Sequence, residues 1–171
     1  MIDLKDYIAA IPDFPKPGIL FRDITPLLSN PDAFEYAISK MTGIAKDLKP
    51  DVIVGIESRG FMFAIPISMN LGLPFVPVRK KGKLPYQTVS VSYELEYGGD
   101  SLEIHTDALT PGTRVLIVDD LIATGGTVKA CVELVGGLNA KVVGVVTLID
   151  LVDIRNEDWF PGININSLIK Y

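Results

Sequence analysis

Two adjacent carboxylates, Asp119 and Asp120, end the apolar run Val115-Leu116-Ile117-Val118, and the small-residue loop Leu121-Ile122-Ala123-Thr124-Gly125-Gly126-Thr127 follows them. Gly125 and Gly126 allow backbone N–H groups to approach an anion closely, and Thr124 and Thr127 add hydroxyl donors. The apolar periodicity of Val128, Cys131, Val132, Leu134 and Val135 predicts a helix directly after the loop. Its positive dipole end would face the same anion. Carboxylates do not bind phosphate; Asp119 and Asp120 suit hydroxyl groups or a divalent metal beside it. A phosphate, a diol and Mg²⁺ together describe a phosphorylated sugar. Two neighbouring acids at a strand end serve no packing purpose. No Gly-x-x-x-x-Gly-Lys precedes a helix, which disfavours an ATPase.

Two further segments carry anion chemistry. Val54-Gly55-Ile56-Glu57-Ser58-Arg59-Gly60-Phe61 leaves a predicted strand and opens a predicted helix. Its backbone amides form a second cradle, and Arg59 offers a planar fork for phosphate oxygens. Arg79-Lys80-Lys81-Gly82-Lys83-Leu84-Pro85 concentrates cations that repel one another and need an anionic partner or open solvent. Gly82 and Pro85 make this run a turn. Taken alone, Tyr93-Glu94-Leu95-Glu96-Tyr97-Gly98 is an acidic strand end, and the segment Phe14-Pro15-Lys16-Pro17-Gly18 is a Pro-rich cap.

These groups require an alternation of strands and helices to position them. A short amphipathic helix is expected over 4–11 and a Pro-rich elbow over 12–18. A helix follows over 31–48, with Pro31 at its first position and Phe34, Ala37, Ile38, Met41 and Ala45 facing inward. Strands are expected over 52–56, 75–78, 115–118 and 142–151, and helices over 61–71 (around Pro66) and 128–138. The intervening stretches 89–96 and 101–104 alternate like a hairpin. The order predicts an α/β fold, a mostly parallel sheet with helices on both faces. The long polar segment between Val78 and Val115 suits a flap over the site.

The composition bounds the rest. At 171 residues the chain is expected to be a single domain spanning 1–171. No apolar run approaches a membrane span, and no signal peptide is visible. A net charge of −5 disfavours nucleic-acid binding. One cysteine and one histidine exclude a disulfide framework and a Cys/His zinc site, and fit a reducing cytoplasm. Cys131, inside a helix pattern, reads as a core thiol, and nothing local supports pairing it with His105 in catalysis.

The strand, carboxylate pair and Thr-Gly-Gly-Thr loop, in that order, resemble the binding motif for 5-phosphoribosyl 1-pyrophosphate (PRPP) of the type I phosphoribosyltransferase family. The segments around Glu57, Lys83, Leu95 and Phe21 are more particularly similar to its adenine-specific branch, and the similarity runs over essentially the whole chain. The resemblance implies a type I phosphoribosyltransferase fold with an N-terminal hood (1–30) and a flexible loop and β-hairpin flap (79–105). It implies transfer of a phosphoribosyl group from PRPP to adenine in purine salvage, giving AMP and pyrophosphate with Mg²⁺ as cofactor. By resemblance Ala123, Thr124, Gly125, Gly126 and Thr127 hold the 5′-phosphate, and Asp119 and Asp120 hold the ribose hydroxyls. Glu57, Ser58, Arg59, Arg79, Lys80 and Lys83 surround pyrophosphate, with a Glu57-Ser58 peptide that tends to be cis and Arg79 a candidate for a dimer contact. Leu20 and Arg22 contact adenine through their backbone and Phe21 stacks on it. Glu96 is the acid/base at adenine N7, with Arg59 and Lys83 aiding catalysis and Tyr97 closing over the site. Mg²⁺ is carried by PRPP, with Asp119 or Asp120 as its protein contact through water. A cytoplasmic homodimer is implied. Glu57 stands where many relatives carry Asp, and Ile122 where Leu is frequent; neither removes a needed group. Two alternatives stay open: transfer to another base, and a non-catalytic PRPP sensor.

Overall fold

The computed structural model describes residues 2–95 and 98–171. Elements in chain order are β1 (Ala9–Pro12), β2 (Leu20–Asp23), α1 (Thr25–Leu28), α2 (Pro31–Leu48), β3 (Val52–Ile56), α3 (Gly60–Leu71), β4 (Phe75–Lys80), β5 (Thr88–Leu95), β6 (Gly98–His105), β7 (Arg114–Ile122), α4 (Gly126–Gly137), β8 (Lys141–Asp150) and β9 (Ile165–Lys170). Single 3₁₀ turns cover Leu4–Tyr7 and Glu157–Trp159.

Among the described residues, β5-β6-β4-β3-β7-β8-β9 form one sheet and β1-β2 another. β4, β3, β7, β8 and β9 run parallel, and β6 joins β4 antiparallel and carries β5 as a hairpin. Every residue of β3 is buried, as expected for a parallel strand covered on both faces. Along β7 the side chains divide. Leu116 and Val118 join Ala37, Met41, Phe63 and Ile67 of α2 and α3, while Val115 and Ile117 join Val128, Cys131, Leu134 and Val135 of α4. The chain leaves β3 through α3 towards β4 and leaves β7 through α4 towards β8. The crossovers depart in opposite directions, so the carboxyl ends of β3 and β7 flank a switch point.

Local sequence explains most boundaries. The Asn30 side chain accepts the Ala33 N–H at 3.0 Å and Pro31 begins α2. Gly72, at φ +64°, ends α3. Two expectations need correction. The N-terminal helix over 4–11 is one 3₁₀ turn followed by β1, which pairs antiparallel with β2 from Ala9↔Asp23 to Pro12↔Leu20. Hydrogen bonding to β2 outweighs the short amphipathic pattern, and Ile11 is left exposed. The motif strand does not stop at the carboxylates; it continues to Ile122 because Asp119 and Leu121 pair with Thr147 and Ile149 of β8. Residues 156–166, from which the sequence yields no element, contain a 3₁₀ turn and the start of edge strand β9. Among the described residues no helix is long and apolar enough to cross a membrane.

One glycine sets the packing of α3 on the sheet. A Cβ at Gly55 would lie 2.7 Å from Phe75 Cε2 and 2.8 Å from the Ala64 Cβ. Gly55→Ala is therefore expected to cost about 1–3 kcal/mol through overpacking. Urea unfolding should show a lower midpoint with an unchanged slope.

Candidate active site

The β3–α3 turn presses directly on the carboxylate pair. A Cβ at Gly60 would stand 2.8 Å from Asp119 Oδ1 and 2.9 Å from the Val118 carbonyl oxygen. Only glycine permits this approach. Asp119 and Asp120 are 8% and 4% exposed. Asp119 Oδ1 accepts the Asp120 N–H at 2.9 Å. Arg59 Nη2 lies 2.7 Å from Asp120 Oδ2, an ion pair without hydrogen-bond alignment. Burial pushes both carboxyls above the usual range. The neighbouring Asp120 charge lifts Asp119 further, and Arg59 pulls Asp120 part of the way back.

The Ala123–Thr127 loop lies beside this pair. Gly125 adopts φ +97° at the start of α4, and a Cβ there would be 2.8 Å from the Phe160 ring. The Thr124 carbonyl accepts the Asn156 N–H at 3.0 Å, so segment 156–160 backs the loop. Lys129 Nζ stands 5.3 Å from the Trp159 ring centroid. Side-chain caps distinguish the helices. Asn30 caps α2, whereas α3 and α4, which start at the switch point, have no side-chain cap bond. At α4 the first N–H groups are thereby left to a ligand or water, whereas at α3 the Phe61 and Met62 N–H groups already donate to the Ser58 and Arg59 carbonyls at 3.3 and 3.2 Å. A cavity of about 320 Å³ adjoins Phe160 and is lined by Arg155, Glu157 and Asn166; no residue of 123–127 lines it.

Carboxylates organise the basic run. Glu57 receives Arg79 through Nε at 3.1 Å and Nη2 at 3.0 Å, and also the Lys80 N–H at 3.1 Å. The Arg79 hydrogen bond holds the Glu57 carboxyl below its ordinary range. Arg79 Nη1 donates to the Lys83 carbonyl at 3.0 Å. Buried Glu103 accepts the N–H groups of Gly82 and Leu84 at 2.9 and 3.1 Å. Lys80 pairs with Asp100 at 3.0 Å. Arg79 and Lys80 are thus held by acids, while Lys81 and Lys83 are exposed. The Glu57-Ser58 peptide is cis.

The hood strand β2 reaches the same place. Phe21 lies 5.1 Å edge-on from Phe14, and the Arg59 guanidinium carbon is 5.3 Å from the Phe21 ring centroid. Arg59 therefore touches both the hood and the carboxylate pair. Leu20 is exposed, and Arg22 stacks on Tyr171 at 3.6 Å. Glu96 and Tyr97 lie outside the described residues.

Sequence reasoning did not single out Tyr93, Asp100, Glu103 or Phe160. Tyr93 on β5 faces Asp100 across the hairpin. Burial raises its phenol, which lies beside Thr127 of the loop and Asp100. Alternation along β5 and β6 was the one available signal for which hairpin residues share a face. Cys131 is buried in the core, and burial pushes its thiol far up, so it is unreactive. Among the described residues no group of three or more His, Cys, Asp or Glu could hold a metal ion. Two adjacent carboxylates fit Mg²⁺ only as part of a set completed by substrate oxygens and water.

Because burial raises both carboxyl pKa values, the folded chain binds their protons more tightly than the unfolded chain. The pair therefore subtracts stability as pH climbs from the ordinary carboxylate value through the raised one, and the loss is complete above it. Asp119→Asn is expected to raise the thermal midpoint at neutral pH, with a gain that shrinks towards zero in acid. Melting curves from about pH 4 to pH 8 bracket the ordinary carboxylate value and neutrality. A gain that grew in acid would contradict this account of the pair.

Known proteins share this fold. Residues 25–161 match the family described as "Phosphoribosyl transferase domain". The adenine phosphoribosyltransferase of Carboxydothermus hydrogenoformans is 55% identical over 99% of this chain and 100% of its own length. That of Synechococcus is 54% identical over 99% of each chain. The crystal structure of the Thermoanaerobacter pseudethanolicus adenine phosphoribosyltransferase superposes with a TM-score of 0.94 at 49% identity, covering 98% of each chain. The Saccharomyces cerevisiae enzyme, solved with adenine and an imino-altritol bisphosphate, gives 0.87 at 39% identity over 95% of this chain and 94% of that one.

Proposed function

The chain belongs to the phosphoribosyl transferase family, in its adenine phosphoribosyltransferase branch, and from that premise we propose that it transfers the 5-phosphoribosyl group of PRPP to adenine in purine salvage. The observation that carries this reading is the buried Asp119-Asp120 pair between two uncapped helix starts, with Arg59 bridging to the hood.

In this reading Ala123, Thr124, Gly125, Gly126 and Thr127 hold the 5′-phosphate by backbone N–H groups and hydroxyls. The α4 dipole adds to their pull. Asp119 and Asp120 accept from the ribose hydroxyls and stabilise positive charge developing at C1′. The backbone of Leu20 and Arg22 contacts the adenine edge, and the Phe21 ring packs on its face. Backbone readout suits adenine, whose amino donor and ring acceptor are reversed in hypoxanthine. The adenine N9–C1′ bond forms as the C1′–O bond to pyrophosphate breaks, through an oxocarbenium-like state. Glu96 accepts the proton that adenine loses at N7. Arg59 and Lys83 stabilise the departing pyrophosphate, and the Ser58 amide lines its cradle beside Glu57, whose own N–H donates to the Val78 carbonyl at 2.9 Å. Arg79 and Lys80 shape that cradle from the Glu57 and Asp100 carboxylates. Asp119 or Asp120 would hold Mg²⁺ through water, together with PRPP oxygens, and the ion when bound neutralises pyrophosphate charge. Closure of the 79–105 flap excludes water that would hydrolyse the sugar.

We also propose that the chain is one domain and works as a homodimer in the cytoplasm. Met62, Ile65 and Met69, on one side of α3, are 42%, 42% and 76% exposed, which supports an apolar face for a second copy.

The first test is AMP formation from PRPP and Mg²⁺, with adenine, hypoxanthine, guanine and xanthine offered separately. Strong preference for adenine is the expected result. Turnover of a different base would keep the PRPP chemistry and discard the specificity. Glu96→Gln is expected to lower kcat by about 10²–10⁴-fold, the usual range for a lost general acid or base. Unchanged turnover would remove Glu96 from its role.

A further inference from the structure

Among the described residues, the hood's two strands share no ladder with the central sheet. An isolated two-stranded hairpin is marginal in water, and this one buries little of its own apolar surface. Ile11, Phe14 and Leu20 are 41%, 50% and 48% exposed. Ile8 and Ile24 anchor its two ends in the core; between them, the strands are placed by a few side-chain contacts with the body of the protein. One is Phe21 against Arg59, described above. The other is a single ring, Tyr171. The Arg22 guanidinium carbon sits 3.6 Å from its centroid, and Lys5 Nζ sits 5.1 Å from the same point. Two cations from the hood region thus converge on one aromatic ring, whose electron-rich face attracts both.

The ring is firmly mounted. The Tyr171 N–H donates to the Asp150 carbonyl at 3.0 Å, and its own carbonyl accepts the Val152 N–H at 2.8 Å. Both bonds tie it to the end of β8. Register connects this anchor to the hood. Arg22 pairs with Ala10 and Phe21 with Ile11, so a side chain fixed at Arg22 fixes the backbone at Phe21 and Leu20.

We propose that Tyr171 is a positioning residue for the purine. It touches no substrate; it holds Arg22, and Arg22 sets the Leu20-Phe21-Arg22 backbone. This rests on the assignment of that backbone to adenine. Loss of the ring face should weaken base binding and leave PRPP binding alone, because the phosphate loop, the carboxylate pair and the basic run have other supports.

The test compares Tyr171→Leu with Tyr171→Phe, which keeps the ring and loses only the hydroxyl. Hydrogen exchange of the substrate-free protein comes first. Tyr171→Leu should speed exchange in residues 9–23 and leave β3 and β7 protected, and Tyr171→Phe should match the parent. In steady-state kinetics Tyr171→Leu should raise KM for adenine about tenfold, within the span of a lost cation–π contact. KM for PRPP should stay within about twofold, a difference smaller than that span. Unchanged exchange in 9–23, or equal rises in both KM values, would overturn the proposal. If the parent protein does not use adenine, the proposed function fails, and the exchange arm still decides whether Tyr171 holds the hood.

Discussion

Taking two adjacent carboxylates out of water at the end of a buried strand is the costly act around which this structure is arranged. Like charges in a medium of low polarity repel strongly, and each also loses its hydration. The chain compensates from two directions. The β7 backbone donates one N–H to Asp119, and the β3–α3 turn brings Arg59 to Asp120. That turn comes close enough only because residue 60 has no side chain. Arg59 in turn meets Phe21, so the hood is oriented through the same guanidinium that offsets the buried charge. A raised carboxyl pKa and a destabilised pair are what a site for hydroxyls and a cation is expected to show before its ligands arrive.

Acidic residues perform the opposite service in the basic run. Glu57, Asp100 and Glu103 each accept from the segment that carries Arg79, Lys80 and Lys83. An array of cations without them would splay into solvent. With them, two cations are fixed and the neighbouring backbone is shaped into a turn that presents Lys81 and Lys83 outward. The overall charge of −5 therefore gives a poor picture of the local field, which is basic where pyrophosphate is proposed to sit.

Tyr93 links these two regions. Its phenol lies beside Thr127 on the Ala123–Thr127 loop and Asp100 in the hairpin. The loop proposed to hold the 5′-phosphate and the hairpin proposed to close over the site thus meet at this side chain.

The sequence by itself determined the alternation of strands and helices, the α2 start at Pro31, the fully apolar β3, and the carboxylate pair with its glycine loop. These are short-range matters: period, capping and turn chemistry act within a few residues. Resemblance to a known family supplied the proposed roles of Glu57, Lys83 and Phe21, which composition and spacing alone would have left as surface or cap. Tertiary structure decided the rest. Residues 9–12 became a strand because 20–23 lay ready to pair with them. β7 ran past its carboxylates because β8 continued the ladder. Phe160 and Tyr171 gained their places against Gly125 and Arg22 only once segments far apart in the chain met. Such contacts leave no periodic trace in the sequence, since each depends on two distant segments that carry no local sign of one another.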